Sequence, residues 1–262
     1  MKASLGGSVL EPIYVGTNDI ATRKIARLRN PEYRRRYLLA YQEDLKKYGH
    51  ELTLQEANKR LLFRTKVLEL WKSGHSEEPN GKQSQAEVAL RKIASQLPQR
   101  PFSKETLLSL EPCLVTPEDV DGEISLEDAF ELGRIAQRLY GEKLPTIRLW
   151  IHFKEYVVGG VPDGITDSYV YEFKATTQTG RRIAQVSKEA AKQARLYAYI
   201  FKRPTIKVQI ARFELQGREF PLRVDELPTP EIVSISDSTS DDQALTILRD
   251  FDTDFREGKQ SY

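Results

Sequence analysis

A chain of 262 residues, 39% hydrophobic and 30% charged, suits a globular protein of one large domain or one domain with an added helical lobe. Its apolar runs fall short of the roughly 20 residues of a membrane span, and the start at Met1 to Gly7 lacks the apolar centre of a signal peptide, so no membrane partner and a cytoplasmic location, in a prokaryote or virus, are expected. Cys113 is the only cysteine, which excludes an intramolecular disulfide and any thiolate-held zinc or iron–sulfur site made from this chain alone. A net charge of +2 does not by itself imply nucleic-acid binding, so the distribution of charge matters more than its total.

The first half reads as helical. Asn30-Pro31 supplies an N-cap and a first-turn proline, and Tyr33, Tyr37, Tyr41, Leu45 and Tyr48 recur at helical spacing until Gly49. Thr53-Leu-Gln-Glu56 is a capping box that opens a helix running to about Ser73, with Gly74 as its stop. Ser84 to Glu87 repeats that pattern before a helix ending near Leu97, and Ser125 caps a further one from Leu126 to Tyr140. From Ile147 the period becomes alternating. Ile147 to His152, Tyr156 to Val161 and Ser168 to Lys174 read as successive antiparallel strands, Arg182 to Phe201 as a helix, and Ile206 to Phe213 and Arg218 to Val224 as two more strands. Leu227 to Thr239, rich in Pro, Ser and Asp, reads as a connector; Ser240 to Gln243 then caps a last helix. The division expected is a helical region over 1–122, an α/β core over 123–227, and a connector with a C-terminal helix over 228–262.

Residues that interrupt this pattern are the candidates for function. In a strand over 168–174, Val170, Glu172 and Lys174 share one face, and Tyr169, Tyr171 and Phe173 share the other. The charges belong either to a solvated outer face or to a site. Asp163 lies just upstream, where a short connection brings its carboxylate beside Glu172. Two converging carboxylates repel unless a cation lies between them, and a hard divalent ion takes oxygen ligands of this kind. In the following helix Gln193 and Tyr197 are four residues apart and share a face, Tyr197 being either core packing or part of the site.

In this order, Gly160-Val-Pro-Asp163, Glu172-Phe-Lys174 and Gln193-Ala-Arg-Leu-Tyr197 resemble the motifs of the PD-(D/E)XK nuclease superfamily. The Q-x-x-x-Y element is similar to that of its RecB-like branch, which includes RecB and AddB nuclease domains and CRISPR-associated RecB-like exonucleases. The resemblance covers roughly 147–213. It implies a restriction-endonuclease-like mixed sheet flanked by helices, and metal-dependent hydrolysis of DNA phosphodiesters, by exonuclease or endonuclease action. Asp163 and Glu172, with the Phe173 carbonyl, would hold Mg²⁺ or Mn²⁺, and Lys174, Gln193 and Tyr197 would complete the catalytic set. The family's upstream G-x-x-x-H has Gly133-Arg-Ile-Ala-Gln137 as its nearest equivalent, with Gln for His; Arg64 to Leu68 and Glu87 are other candidates, and Glu87 also serves as a cap. The four cysteines of iron–sulfur relatives are absent, so no such cluster is expected.

Basic residues suggest where a polyanion would lie. Lys188, Lys192 and Arg195 form one ridge on the motif helix, a candidate phosphate track. Arg23, Lys24, Arg27, Arg29 and Arg34 to Arg36, interleaved with Tyr33 and Tyr37, are either a second track or a solvated helix face. His152 is the histidine nearest the proposed site. DNA, single- or double-stranded, is the expected partner, with protein partners in a DNA-processing complex. The alternative is a catalytically silent DNA-binding or assembly protein that keeps the same fold.

Overall fold

The computed structural model describes residues 11–72, 123–124, 129–216 and 222–258. Its first element was not anticipated: Ile13–Gly16 forms a strand, β1, followed by short helices α1 (Thr17–Ala21) and α2 (Ile25–Leu28). The caps then act as the sequence predicts. Helix α3 (Pro31–Tyr48) starts where the Asn30 side chain accepts from the Glu32 N–H, and it stops at Gly49, whose φ of 81° suits glycine. Helix α4 (Leu54–Lys72) opens on reciprocal bonds between Thr53 and Glu56. The helix expected over 84–97 and the cap at Ser125 lie outside the described residues, as does Glu87. Strand β2 (Glu123–Ile124) and helix α5 (Ala129–Tyr140) follow, and α5 ends at Gly141.

The second half is built from β3 (Leu149–Phe153), β4 (Tyr156–Gly160), β5 (Gly164–Ile165), β6 (Tyr169–Thr176), helix α6 (Arg181–Phe201), β7 (Thr205–Arg212), β8 (Leu222–Arg223), β9 (Glu231–Ser238) and helix α7 (Asp241–Glu257). Strands β3 and β4 form an antiparallel hairpin, and β1 adds parallel to β4, giving the order β1-β4-β3. A second sheet has the order β5-β6-β7-β9; β6 and β7 are parallel and joined by the crossover helix α6. Thus β4 does not pair with β6, contrary to the simplest reading of three successive antiparallel strands; the short β5 pairs with β6 instead. Of the strand expected over 218–224, only Leu222–Arg223 is described as strand, paired with β2, and Val224 begins a 3₁₀ turn.

Strand β9 corrects the connector reading of 227–239. Its apolar side chains are sparse: Val233 and Ile235 pack on the core, and the intervening Ser234 and Ser236 are exposed. An edge strand buries one face at most, and β7 supplies its hydrogen bonds along the whole antiparallel register from Thr205–Ser238 to Arg212–Glu231. A Ser- and Asp-rich composition is compatible with that position.

Helices cover both faces of β6 and β7. Val170, Ile206, Val208 and Ile210 pack against Ala190, Ala194, Ala198 and Phe201 of α6, together with Leu52, Ala57 and Leu61. On the opposite face Tyr171, Phe173, Ala211 and Phe213 pack against Leu132, Ile135 and Ala136 of α5. A third cluster joins Val15, Ile20, Ile25 and Leu28 to Leu196 of α6 and to Ala244, Leu248 and Phe251 of α7. The result is an α/β fold of mixed sheets flanked by helices. Among the described residues no helix is long and apolar enough to cross a membrane.

Close packing of α6 on the hairpin depends on Gly160. A Cβ there would lie 2.7 Å from Ile200 Cδ1 and 3.1 Å from Tyr197 Cδ1. Gly133, inside α5, has open space where its Cβ would be. Gly160→Ala is therefore expected to cost about 1–3 kcal/mol through overpacking, whereas Gly133→Ala is expected to gain about 0.5–1 kcal/mol from helix propensity. Urea denaturation of the two variants beside the wild type checks both signs.

Candidate active site

Asp163 stands where the chain steps from one sheet to the other. Strand β5 pairs with β6 through Gly164 opposite Tyr171, so continuing that register by one residue sets Asp163 against Glu172. Asp163 Oδ2 accepts the Phe173 backbone N–H at 2.7 Å. Gln137, from α5, lies near the Asp163 carboxylate and favours its charged form. Glu172 is 2% exposed, which rules out the solvated-face reading, and its Oε1 lies 2.5 Å from Lys174 Nζ. Strand alternation turns Glu172 and Lys174 toward α6, on the same face as Val170, while Phe173 turns its ring toward α5.

Helix α6 closes over this face. Gln193 and Tyr197 are both buried, and Gln193 Nε2 donates to the Tyr197 hydroxyl at 2.7 Å. Thr17 of α1 lies near the same hydroxyl. The site thus collects side chains from α1, α5, β6, α6 and the β4–β5 link.

Its electrostatics are those of crowded, buried acid. Burial, reinforced by the charge of Asp163, pushes Glu172 up to about 8 although Lys174 opposes the shift. Asp163 is likewise raised by burial, against the Phe173 N–H, Lys174 and Gln137. Burial works against the Lys174 ammonium, but Glu172, Asp163 and Glu189 outweigh it and hold Lys174 above its ordinary value. Tyr197 is raised well above the usual phenol range by burial and by Glu172.

Among the described residues no group of three or more His, Cys, Asp or Glu side chains is arranged as a metal cluster. What the site offers is two carboxylates whose charges disfavour each other, one of them held by the Phe173 backbone N–H. Such an all-oxygen set fits a hard divalent ion of the Mg²⁺ type, which keeps several waters and needs only one or two carboxylates.

The other candidates are placed as follows. Lys188 is exposed and Lys192 half-buried; neither forms an ion pair among the described residues. Arg195 does, reaching Asp237 of β9 at 2.8 Å, so it departs from the proposed ridge. His152 is exposed and pairs with Glu51 at 3.2 Å, away from the carboxylates. Arg64 donates to the Thr146 carbonyl. In the N-terminal basic cluster, Tyr33 donates to the buried Asp19 at 2.7 Å and Tyr37 also bonds it, with the Arg36 guanidinium over both rings. Arg23 pairs with Asp250 and Asp254 of α7. Much of that cluster therefore ties helices together.

Two residues near the site were missed. Glu189 precedes Gln193 by four and Tyr197 by eight, so the helical ridge that contains the motif also contains this acid, and that spacing was a usable signal. Thr17 carries no such signal, because its approach to Tyr197 depends on how β1 and α1 pack.

No family model matches the chain, and no curated protein matches it in sequence. Among solved structures, one described as the crystal structure of SSO0001 aligns over 97% of this chain and 81% of its own, at 11% identity and a TM-score of 0.36. A likeness that distant carries no argument about function.

The pH dependence of stability tests the buried acid directly. A folded-state value of about 8 against 4.5 for the ordinary side chain means that folding favours the protonated form, so this contribution is fully present below about 4.5 and is lost as pH rises through about 8. In chelator, the stability of Glu172→Gln relative to wild type is expected to rise between pH 5 and pH 8.5, as read from denaturation midpoints. A difference that is flat across that range would mean Glu172 is not held as described.

Proposed function

We propose that this chain is a metal-dependent nuclease acting on DNA, a RecB-like member of the PD-(D/E)XK superfamily. The observation that carries this reading is the convergence of Asp163, Glu172 and Lys174 beneath the buried Gln193–Tyr197 pair. The same residues are those on which the motif resemblance rests. Asp163, Glu172 and the Phe173 carbonyl would hold Mg²⁺ or Mn²⁺. A bound ion of this kind polarises a phosphate oxygen and lowers the pKa of water.

The remaining roles belong to the chain itself. Lys174, kept cationic by its acidic neighbours, donates a hydrogen bond to the attacking water or to a phosphate oxygen on which charge grows. The Phe173 N–H orients Asp163, with Gln137 close to the same carboxylate. Tyr197 accepts from Gln193 and so keeps its own proton to donate inside the acidic pocket. Lys188 and Lys192 present cations on the helix that roofs the site, suited to phosphates flanking the scissile bond.

Asp163→Ala is expected to abolish Mn²⁺- or Mg²⁺-stimulated cleavage of single- and double-stranded DNA. Lys174→Ala should lower kcat by about 10²–10³ with little change in DNA affinity. A wild-type protein that binds DNA but does not cleave it with either metal would leave the binding or assembly reading in its place.

Salt dependence separates the two kinds of cation on α6. Lys192→Ala should flatten the slope of log affinity against log salt by about 0.7–0.9, the change for one phosphate no longer neutralised. Arg195→Ala should leave that slope as it is, since Arg195 is engaged with Asp237. Binding isotherms across a salt series measure both, and a Lys192→Ala curve that overlays wild type would remove α6 from the DNA path.

A further inference from the structure

Strand β9 ends its sheet, and two hydrogen bonds near the ends of β7 reveal which of its backbone groups face outward. Thr239 donates its N–H to the Pro204 carbonyl at 2.9 Å, in continuation of the β9–β7 register, so the odd-numbered residues of β9 turn their N–H and C=O groups to β7. Phe213, just past β7, donates to the Thr176 carbonyl of β6 at 2.9 Å, which turns the odd residues of β7 to β6 and its even ones to β9, the same assignment. Ile232, Ser234, Ser236 and Ser238 therefore direct their main-chain groups away from the sheet. Among the described residues nothing bonds those groups.

Such an edge is ordinarily guarded by lysine, proline, a bulge or short length. Between Glu231 and Ser238 there is no lysine and no proline, and all eight residues keep an unbroken register with β7. Its acids are poor guards, because Glu231 accepts from Arg212 at 2.7 Å and Asp237 from Arg195 at 2.8 Å, so both charges are countered. Val233 and Ile235 are half-buried on the α6 face, and Ile232 on the other face is 43% exposed.

We infer that β9 pairs antiparallel with β9 of a second copy of this chain, joining two four-stranded sheets into one. The strand is complementary to itself in one register. With a two-fold axis through Ile235, all four outward residues find partners, Ile232 with Ser238 and Ser234 with Ser236 of the second copy. The two Ile235 side chains then meet across the axis in a non-hydrogen-bonded pair, the closer kind, with Val233 on the diagonal. Glu231 stands opposite Thr239 and Asp237 opposite Val233, so no acid faces an acid. Moving the axis to Ser234 sets Glu231 against Asp237 and Ser238 against Pro230, which has no N–H to give. Moving it to Ser236 sets Ile235 against Asp237 and carries Ile232 past the end of the strand. Charge and hydrogen bonding thus select the Ile235 axis, and with it a copy of the same strand as occupant. The axis is perpendicular to the sheet, so α6 lies on the same side in both copies, and the two β6 strands that carry Glu172 stand about 24 Å apart across the strands.

Sedimentation equilibrium of the full chain, loaded from about 1 to about 100 μM, suits an interface built on one strand pair. The wild type is expected to pass from monomer to dimer over that range. Ser234→Lys/Ser236→Lys should weaken association by about tenfold, through two like-charge pairs across the axis. Ser234→Lys/Ser236→Glu should restore it, because each lysine then faces a glutamate of the other copy. Both serines are exposed, so these variants should keep the denaturation midpoint of the dilute wild type. Ser234→Pro removes an outward N–H and no bond to β7, and it should leave a monomer. A wild type that stays monomeric throughout, or a dimer that neither the paired lysines nor Ser234→Pro weakens, would overturn the inference. A dimer weakened equally by the Lys/Lys and Lys/Glu pairs would overturn the Ile235 axis, since with the axis at Ser234 that residue meets itself. The measurement needs no turnover, so its outcome is independent of the nuclease reading.

Discussion

The structure depends on one constraint: α6 must lie flat across β6 and β7 and also touch the hairpin of the other sheet. A parallel crossover places the helix over the two strands it connects. Its contact face carries Ala190, Ala191, Ala194 and Ala198, small residues that allow close approach, beside Tyr197, Ile200 and Phe201, and Gly160 on β4 removes a Cβ that would collide with Tyr197 and Ile200. With larger side chains along this face the helix would stand off the sheet. Glu172 would then reach water, and its acidity would be ordinary.

That close approach turns a strand with two charged residues into a site. Glu172 is at the centre of β6, opposite Val208 on the neighbouring strand, where an aliphatic residue would pack without electrostatic cost. Instead the fold buries a carboxylate with one ammonium at 2.5 Å and a second carboxylate nearby. An ion pair buried this way is poor evidence of stabilisation, since the desolvation cost rivals the attraction. Strongly shifted groups gathered in one place are more often found where chemistry is done.

The segment before α3 holds the frame from the other side. Asp19 is fully buried and accepts from Tyr33 and Tyr37, whose ring lies so near Gly16 that a Cβ there would be 2.6 Å from it. Asp252 of α7 plays a matching part, bonded to Lys154, to Arg256 at 2.7 Å and to Tyr156 at 3.1 Å. These anchored acids fix β1, α1 and α7 around α6, and through α1 they bring Thr17 to the Tyr197 hydroxyl.

Local chemistry in the sequence was enough to determine the helix starts at Asn30, Thr53 and Ser240, the stop at Gly49, the alternation that separates Glu172 and Lys174 from Phe173, and the four-residue step from Gln193 to Tyr197. Each of these is a relation between residues close in the chain, set by hydrogen-bonding groups at helix ends or by side-chain period. The strand β9 was not legible, because an edge strand takes its order from the hydrogen bonds of β7 and needs little apolar surface of its own. Nor was the strand β1, whose partner β4 lies far along the chain. The tertiary structure alone decided that Arg195 pairs with Asp237 and leaves the basic ridge, that Tyr33 and Tyr37 turn inward to Asp19, and that Gln137 meets Asp163. Side-chain period says which residues share a face, but what that face meets depends on how distant elements pack, and only the folded chain brings them together.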